Sequence, residues 1–200
     1  GQITSNGGNV SVTGMGGELS TSSNNCGVYL EISGKITAGN SGTVTVHGTG
    51  GTGSGPYNCG VGVVTDCQIT SNGGDVSVTG IEGTGSLGLG IITANGIITT
   101  ATNGGNITLI ANSMDLGGPI TTNNSGITTL RQYTNNTPIN LGIAADAVGG
   151  PLSLTDDELD RITTGTLIMG NLNSGNLTVS ANITRPAGTH VQLVSGGDVT

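Results

Sequence analysis

The sequence contains a near-identical copy of one of its own segments. Residues 2–14, QITSNGGNVSVTG, return at 68–80 as QITSNGGDVSVTG, with Asn9 replaced by Asp75. The shared skeleton is a turn of Asn-Gly-Gly type, one further residue, and then alternating apolar and small polar residues. Repetition with a period of roughly 20–50 residues is typical of solenoids, in which each repeat buries its apolar face against its neighbours.

Eight turns with this skeleton divide the chain into repeats. They begin at residues 6, 40, 72, 103, 124, 148, 173 and 195, so their spacing is 31–34 residues at first and 21–25 residues later. The longer periods each contain a Gly/Ser-rich loop, at 14–25, 48–58 and 80–88. We therefore predict a single β-helix segment over residues 1–200, with long coils over 1–102 and tighter coils over 103–200.

Strand patterning predicts the fold class. In each long period the alternation directs one set of side chains inward, such as Val10 and Val12, and the residues between them outward. Each period also holds a strand before the turn and a third strand after the loop, which makes three faces per coil. The predicted fold is all-β, a right-handed parallel β-helix (solenoid) of about eight coils.

One segment departs from the strand pattern. Thr155 followed by Glu158 is the pattern of a capping box, in which a hydroxyl and a carboxylate satisfy free N–H groups at the start of a helix. Leu159 and Ile162 then fall on one helical face. We predict one short external helix over 156–162.

Composition argues against several function classes. The chain has 39 glycines and no Trp or Phe, so its core must be built from Val, Ile, Leu and small residues. The net charge is −8, and the four cations are dispersed along the chain. We expect no nucleic-acid partner, because such binding depends on clustered Lys and Arg. We expect no membrane insertion, because no apolar run approaches the roughly 20 residues that a membrane span needs.

An asparagine begins most of the turns. Asn tolerates the left-handed backbone of a turn, and its amide can bond both the turn and the next coil. Stacking of the coils would therefore align these residues along one corner. The predicted structural turn ladder consists of Asn6, Asn40, Asn72, Asn103, Asn124 and Asn173.

Two of the three cysteines occupy equivalent positions. Cys26 and Cys59 stand where the next coil has Leu89, which indicates an apolar, inward position. We predict that they stack on adjacent coils with Cα atoms about 5 Å apart, within reach of a disulfide. Parallel neighbours often lack suitable Cβ geometry, so we favour free, buried thiols. Cys67 stands at the start of its coil.

Candidate chemical sites are sparse. The acidic cluster within 156–160 raises calcium binding as an alternative, but its spacing fits no EF-hand loop, and carboxylates are favoured in any first helical turn. His47 and His190 have no partner at a spacing that indicates a site, so we interpret both as surface residues. We predict no catalytic residue, no metal site and no cofactor.

Outward pairs of small hydroxyl residues raise ice binding as a further hypothesis. Ser11 with Thr13 and Ser77 with Thr79 resemble the Thr ladders of ice-binding β-helices. Ser and Thr also suit any solvent-facing strand position. A polysaccharide-active β-helix enzyme would need converging carboxylates beside a basic residue, and each cation here stands alone.

The repeat resembles those of bacterial surface β-solenoid proteins: filamentous-haemagglutinin-like proteins, autotransporter passenger regions and giant β-strand repeat proteins. The segment 152–170, LSLTDDELDRITTGTLIMG, is similar to a recurrent linker coil of that group. The resemblance covers the whole chain and implies a secreted, elongated, non-enzymatic shaft.

These observations predict a structural shaft or filament segment of an extracellular bacterial protein at the cell surface. The chain begins and ends in strand, and open β edges recruit other chains, so the expected partner is the chain itself, head to tail, or flanking repeats of the same chain. The alternative is an adhesin, carbohydrate-binding or ice-binding module with surface glycans as partners. A polysaccharide-active enzyme is the third reading. A binding module would show an aromatic or charged patch, for which Tyr29, Tyr57 and Tyr133 are the aromatic candidates.

Overall fold

The computed structural model of the chain describes residues 1–18, 21–100, 105–123, 125–142 and 149–200. The first ten strands are β1 (Gln2–Ser5), β2 (Val10–Met15), β3 (Val28–Leu30), β4 (Lys35–Ala38), β5 (Val44–Thr49), β6 (Val61–Val63), β7 (Gln68–Ser71), β8 (Val76–Ile81), β9 (Ile91–Ile92) and β10 (Ile97–Thr100). They are followed by β11 (Ile107–Ile110), β12 (Met114–Asp115), β13 (Ile120–Thr121), β14 (Ile127–Arg131), β15 (Ile139–Leu141), β16 (Leu152–Leu154), helix α1 (Asp156–Asp160), β17 (Ile162–Thr163), β18 (Thr166–Gly170), β19 (Leu177–Val179) and β20 (His190–Val194).

The strands form parallel sheets that run along the molecule. The first sheet has the order β1-β4-β7-β10-β13-β17, and the second has the order β2-β5-β8-β11-β14-β18-β20. The third sheet is β3-β6-β9-β12 and the fourth is β16-β15-β19. Neighbours in the first three sheets lie mostly three strands apart in the chain, so each coil contributes one strand to each face. The prediction of an all-β parallel β-helix with three faces and one short helix is confirmed.

The copies of the repeat align in register. Ile36 pairs with Ile69 in the first sheet, and Val44 pairs with Val76 in the second. All four side chains are at most 3% exposed, and the inward residues form one continuous hydrophobic core. We number the coils from the amino terminus, so that the first is β1–β3, the second β4–β6, the third β7–β9 and the fourth β10–β12.

After the fourth coil, the order of the strands in the stack no longer follows their order in the chain. β15 pairs with both β16 and β19, and β16 also lies against β12. The chain therefore passes β15 first and returns afterwards to place β16 between β12 and β15. This exchange of order could not be read from turn spacing, because the spacing reports the length of a coil and not its level in the stack.

Helix α1 has the predicted capping box. The Thr155 hydroxyl accepts a hydrogen bond from the Glu158 N–H at 3.2 Å, and the Glu158 carboxylate accepts one from the Thr155 N–H at 2.8 Å. The other carboxylate oxygen of Glu158 accepts from the Leu116 N–H at 3.0 Å, which ties the helix to the fourth coil. Leu159 is fully buried. The helix ends before Ile162, which belongs to β17.

Arg185 closes the other end of this helix. Its guanidinium donates hydrogen bonds to the backbone carbonyls of Leu159 and Ile162 and lies 3.6 Å from a carboxylate oxygen of Asp160. Burial lowers the pKa of Arg185, and the nearby Asp160 and Asp156 act in the opposite direction. A distant arginine therefore supplies the charge-assisted hydrogen bonds that the last turn of a short helix lacks.

Candidate functional site

The predicted turn ladder is only partly on one corner. Asn6, Asn40 and Asn72 are exposed in turns between the first and second sheets. Asn103 and Asn124 lie outside the described residues. Asn173 follows β18 of the second sheet and precedes β19 of the fourth, so it belongs to a different corner. The expected alignment of Asn173 is wrong, because the corresponding corner of its coil lies between β17 of the first sheet and β18 of the second, at residues 164–165, whereas Asn173 comes after β18.

A set of polar side chains that joins the coils lies at the residue just before the second-sheet strands β2, β8 and β11. The side-chain Oδ1 of Asn9 accepts a hydrogen bond from the Thr43 N–H of the next coil at 2.9 Å. Asp75 accepts in the same way from the Asn106 N–H at 2.8 Å, and Asn106 accepts from the Ile127 N–H at 2.9 Å. The side chain at this position contributes only an oxygen atom that accepts a hydrogen bond. Asn and Asp both provide that atom, which explains why the two copies of the repeat can differ there.

The cysteines are joined. Cys26 and Cys59 form a disulfide whose Cα atoms are 4.4 Å apart, so the expectation of free thiols is wrong. Both residues precede their strands β3 and β6 at the end of a Gly/Ser-rich loop, and the backbone pairing between the coils reaches them, since the Gly27 N–H donates to the Cys59 carbonyl at 2.9 Å. Cys59 Sγ lies on the outer side of the third sheet, 3.3 Å from where a Cβ at Gly62 would stand. The expected burial is confirmed for Cys59, which is 1% exposed, but its sulfur lies on the outer side of the sheet and not in the core inside the coils. Cys67 is the cysteine that lies in the core.

The Gly/Ser-rich loops of the first three coils stack into what we call the side lobe. It comprises the described residues of 16–27, 50–60 and 82–90, between the second and third sheets. Backbone hydrogen bonds join its layers, including Gly51 N–H to Asn25 C=O at 2.8 Å and Thr84 N–H to Gly51 C=O at 3.0 Å. The loops thus continue the ladder of the coils instead of projecting separately.

Asn58 holds the layers of the side lobe together. Its side chain is fully buried, and its Oδ1 accepts from the N–H of Asn25 at 3.0 Å. Its amide nitrogen donates to the carbonyls of Gly53, Gly55 and Thr84 at 2.7, 3.0 and 2.8 Å. A buried amide with both ends satisfied specifies the position of all three loops.

The side lobe joins the coil through a neck where two backbone segments touch. In the second coil, a Cβ at Gly48 would overlap the carbonyl oxygen of Gly60. The same relation holds for Gly14 with Gly27 in the first coil. Glycine is required here because the end of one strand and the start of the next approach without room for a side chain.

A cavity of about 670 Å³, which we call the tyrosine groove, lies between the side lobe and the outer side of the third sheet. The sheet contributes Tyr29, Ile92 and Asp115, which occupy one outward column together with Gly62. The side lobe contributes Tyr57, Leu87, Leu89 and the disulfide. Glu31, Val64, Ala94 and Asn24 complete the lining.

The groove collects apolar side chains that are half exposed. Tyr29, Tyr57 and Leu87 are 52%, 49% and 51% exposed. The ring of Tyr29 lies across Gly62 of the next coil, where a Cβ would be 2.5 Å from its Cδ2. The glycine thereby makes room for the ring on the floor of the groove. Tyr133, the third aromatic candidate, is not part of this lining and is 45% exposed.

Residues in a left-handed backbone conformation border the groove. Asn24, Tyr57 and Leu87 precede the third-sheet segments of successive coils and have φ angles of 59°, 63° and 60°. Asparagine adopts this conformation readily, whereas a bulky residue such as Tyr or Leu does so at a cost on the order of 1–3 kcal/mol. Such strain is concentrated at functional sites, and here it falls on two side chains that line the groove.

The remaining candidate sites do not assemble. The Asp156 carboxylate accepts hydrogen bonds from the N–H and hydroxyl of Thr184 at 2.7 and 2.9 Å. Within the described ranges, no group of three or more His, Cys, Asp or Glu side chains could hold a metal ion. His47 lies in an outward position between Thr13 and Thr79.

A column of threonines runs along the outer side of the first sheet, comprising Thr4, Thr37, Thr70, Thr99, Thr121 and Thr163. The neighbouring outward column contains Gln2, Lys35, Gln68 and Ile97. The threonines of the first sheet therefore make a single column. The predicted pairs Ser11/Thr13 and Ser77/Thr79 lie on the second sheet, where the outward column Ser11, Thr45, Ser77, Thr108 and Thr129 stands beside the column Thr13, His47, Thr79, Ile110 and Arg131. His47, Ile110 and Arg131 interrupt the hydroxyl groups of the second of these columns.

The fold and the groove define the class of protein as a parallel β-helix with a stacked side lobe and one outer groove. Comparisons with models of protein families, with curated proteins and with solved structures find no match to this chain. Among the described residues, no helix is long and apolar enough to cross a membrane.

Proposed function

We propose that this chain is a structural segment of a β-helical shaft at a bacterial cell surface, with no enzymatic activity. The observation that carries the proposal is the continuous ladder: six strands in the first sheet and seven in the second stack in parallel. A rod of this kind resists extension and proteolysis, because its backbone groups are paired from coil to coil. The resemblance of the repeat to bacterial surface solenoids supports the same function.

The end coils support stacking against further coils. Ile3 is 49% exposed, although its column partner Ile36 is 3% exposed. At the other end Val191 is 45% exposed, although its partner Leu167 is fully buried. These core positions are uncovered, and the next layer of a β-helix would cover them. The proposed partners are flanking repeats of the same chain or a second copy, head to tail.

The Cys26–Cys59 disulfide supports an oxidising compartment. Disulfides persist mainly in secreted and surface proteins, and they are rare where thiols are kept reduced. This agrees with an extracellular location but does not select one compartment among the oxidising ones.

Sedimentation velocity of the chain over a range of concentrations tests the stacking. The chain should associate, and the double variant Ile3→Lys, Val191→Lys should remain monomeric, because a charge at an uncovered core position cannot be buried. Tyr133→Lys, which changes an exposed apolar residue elsewhere, should associate like the unmodified chain. A monomer at every concentration would exclude self-stacking, and electron microscopy of intact material without rods would exclude the shaft.

A second candidate function is that of a binding module. The convergence of Tyr29 and Tyr57 in one groove favours it, because a concave apolar site with a few polar groups is the usual form of a small-molecule site. The flanking coils would then present the groove, and surface glycans are among the partners to test.

A further inference from the structure

The tyrosine groove carries negative charge and none of the opposite sign. Glu31 and Asp115 line it and are exposed, and no lining residue is a Lys, Arg or His. The whole chain has a net charge of −8. An anionic ligand would therefore meet repulsion in the groove, whereas a cation would be attracted to it.

The aromatic residues of the groove add a second kind of attraction for a cation. Tyr29 and Tyr57 are both half exposed and line the same cavity. The face of a tyrosine ring attracts ammonium groups through its quadrupole, and most strongly where the ring is partly shielded from water. Cys26 Sγ lies 3.3 Å from the carbonyl oxygen of Tyr57, so the disulfide packs against the backbone that presents this ring.

The column on the third sheet gives the groove a direction. Tyr29 is in the first coil, Gly62 in the second, Ile92 in the third and Asp115 in the fourth. Three steps between parallel strands separate Tyr29 from Asp115, which corresponds to about 14 Å. Glu31 lies near the Tyr29 end, so the two carboxylates are at opposite ends of an apolar floor.

We propose that the tyrosine groove binds a linear alkyl diammonium compound, the chemical class that includes the polyamines. One ammonium group pairs with Asp115, and the other lies at Tyr29 and Glu31. The methylene chain lies over Ile92 and along the ring of Tyr29, which covers Gly62 and forms the floor of the groove there. The proposal deepens the binding-module candidate above and does not depend on whether the chain stacks end to end.

Isothermal titration calorimetry of the full chain tests the proposal with three matched probes. Decanediamine carries a cation at each end, decylamine carries one, and decanediol carries none. The diamine should bind saturably with one site per chain. The monoamine should bind about tenfold more weakly, since it loses one charged contact, and the diol should show no saturable binding.

Variants locate the site. Asp115→Asn should weaken diamine binding about tenfold, and Asp157→Asn, which removes the same charge from an exposed position on α1, should leave it unchanged. Tyr29→Phe should retain binding and Tyr29→Ala should lose it, because the ring face and not the hydroxyl is used. Thermal unfolding followed by circular dichroism confirms that each variant is folded.

Several results would overturn the proposal. If the diol bound as tightly as the diamine, the groove would recognise the alkyl chain and not the charges. Equal losses in Asp115→Asn and Asp157→Asn would reduce binding to general attraction to an acidic surface. If a neutral oligosaccharide such as cellopentaose bound and the diamine did not, the proposed ligand class would be wrong, but the function as a binding module would stand. If no probe bound, both the ligand class and the binding-module function would be refuted.

Discussion

The first three coils and the later part of the chain both stack around one hydrophobic core, but they differ in how the chain between the strands is packed. In the first three coils the backbone closes tightly at glycine necks, and the surplus chain is stacked in the side lobe. From the fourth coil onward the side lobe is absent, and the described part of the chain holds α1 and the displaced strand β16. The inward column of the second sheet changes accordingly, through Val12, Val46, Val78, Leu109, Leu130, Met169 and Leu193.

The difference teaches where each region obtains its stability. The first region uses small side chains and close backbone contacts, so it is sensitive to any added atom at the neck. The later region uses larger side chains, so it is sensitive to removed atoms. The tyrosine groove lies beside the first region because only the side lobe provides its second border.

A methyl group at the neck should have the largest effect. Gly48→Ala places a Cβ against the carbonyl of Gly60, and neither backbone segment can move without breaking the ladder. We expect a loss on the order of 4 kcal/mol in the free energy of unfolding, measured by urea denaturation. Gly17→Ala in the same lobe is the control, since its Cβ would lie 3.4 Å from Asn25 Oδ1, and it should change stability by less than about 0.5 kcal/mol. If Gly48→Ala and Gly17→Ala changed the free energy of unfolding by similar amounts, the proposed steric requirement for glycine at the neck would be wrong.

Truncation of a core leucine tests the later region. Leu130 is fully buried, and Leu130→Ala should cost about 3 kcal/mol by the same measurement, because it leaves a cavity between stacked coils. Leu172 is 78% exposed, so Leu172→Ala should cost less than about 0.5 kcal/mol. If Leu130→Ala were as mild as Leu172→Ala, side-chain packing would not be what supports this region.

Much of the winding could be predicted because the repeat reports it directly. The Asn-Gly-Gly turns and the alternation that follows them locate the first-sheet and second-sheet strands, and Thr155 with Glu158 locates the helix. The short strands β12, β13, β15 and β17 were not predicted, because each has only two or three residues and no aligned copy in a neighbouring repeat. The equally short β3, β6 and β9 were predicted, because their copies in successive coils align. The corner of Asn173 could not be predicted, because the turn motif keeps the same residue types where it moves to another corner: the turn from the first to the second sheet lies between β17 and β18, and Asn173 follows β18.

The site was less predictable for a different reason. Tyr29 and Tyr57 meet only because their coils stack, and Tyr57 occupies a left-handed position that sequence reasoning would assign to Gly or Asn. The disulfide depends on side-chain direction at the end of a loop, where the strand alternation no longer applies. The repeated Asn-Cys-Gly-Val at 25–28 and 58–61 was the available signal that both cysteines have the same surroundings.

Reduction of the disulfide should have an intermediate effect confined to the first region. The bond joins residues 33 positions apart, and its loss should cost about 2 kcal/mol by relaxing a constraint on the unfolded chain. Hydrogen exchange should rise in the first two coils and remain unchanged beyond the fourth. Reductant should have no effect on a double variant with both Cys26 and Cys59 changed to Ala. A uniform rise along the whole chain would show that the two regions unfold as one unit.

The smallest effect should come from the one position at which the repeat copies differ. Asn9→Asp and Asp75→Asn each keep the oxygen that accepts the backbone N–H of the next coil, so either exchange should change the free energy of unfolding by less than about 0.5 kcal/mol. Asn9→Ala and Asp75→Ala remove the acceptor and should each cost about 1 kcal/mol, the usual net value of one hydrogen bond. Urea denaturation of the four variants measures the contrast. Exchange variants as destabilised as the alanine variants would mean that the amide nitrogen, or the charge, matters at this corner, and a single acceptor oxygen would then not explain the Asn-to-Asp difference between the copies.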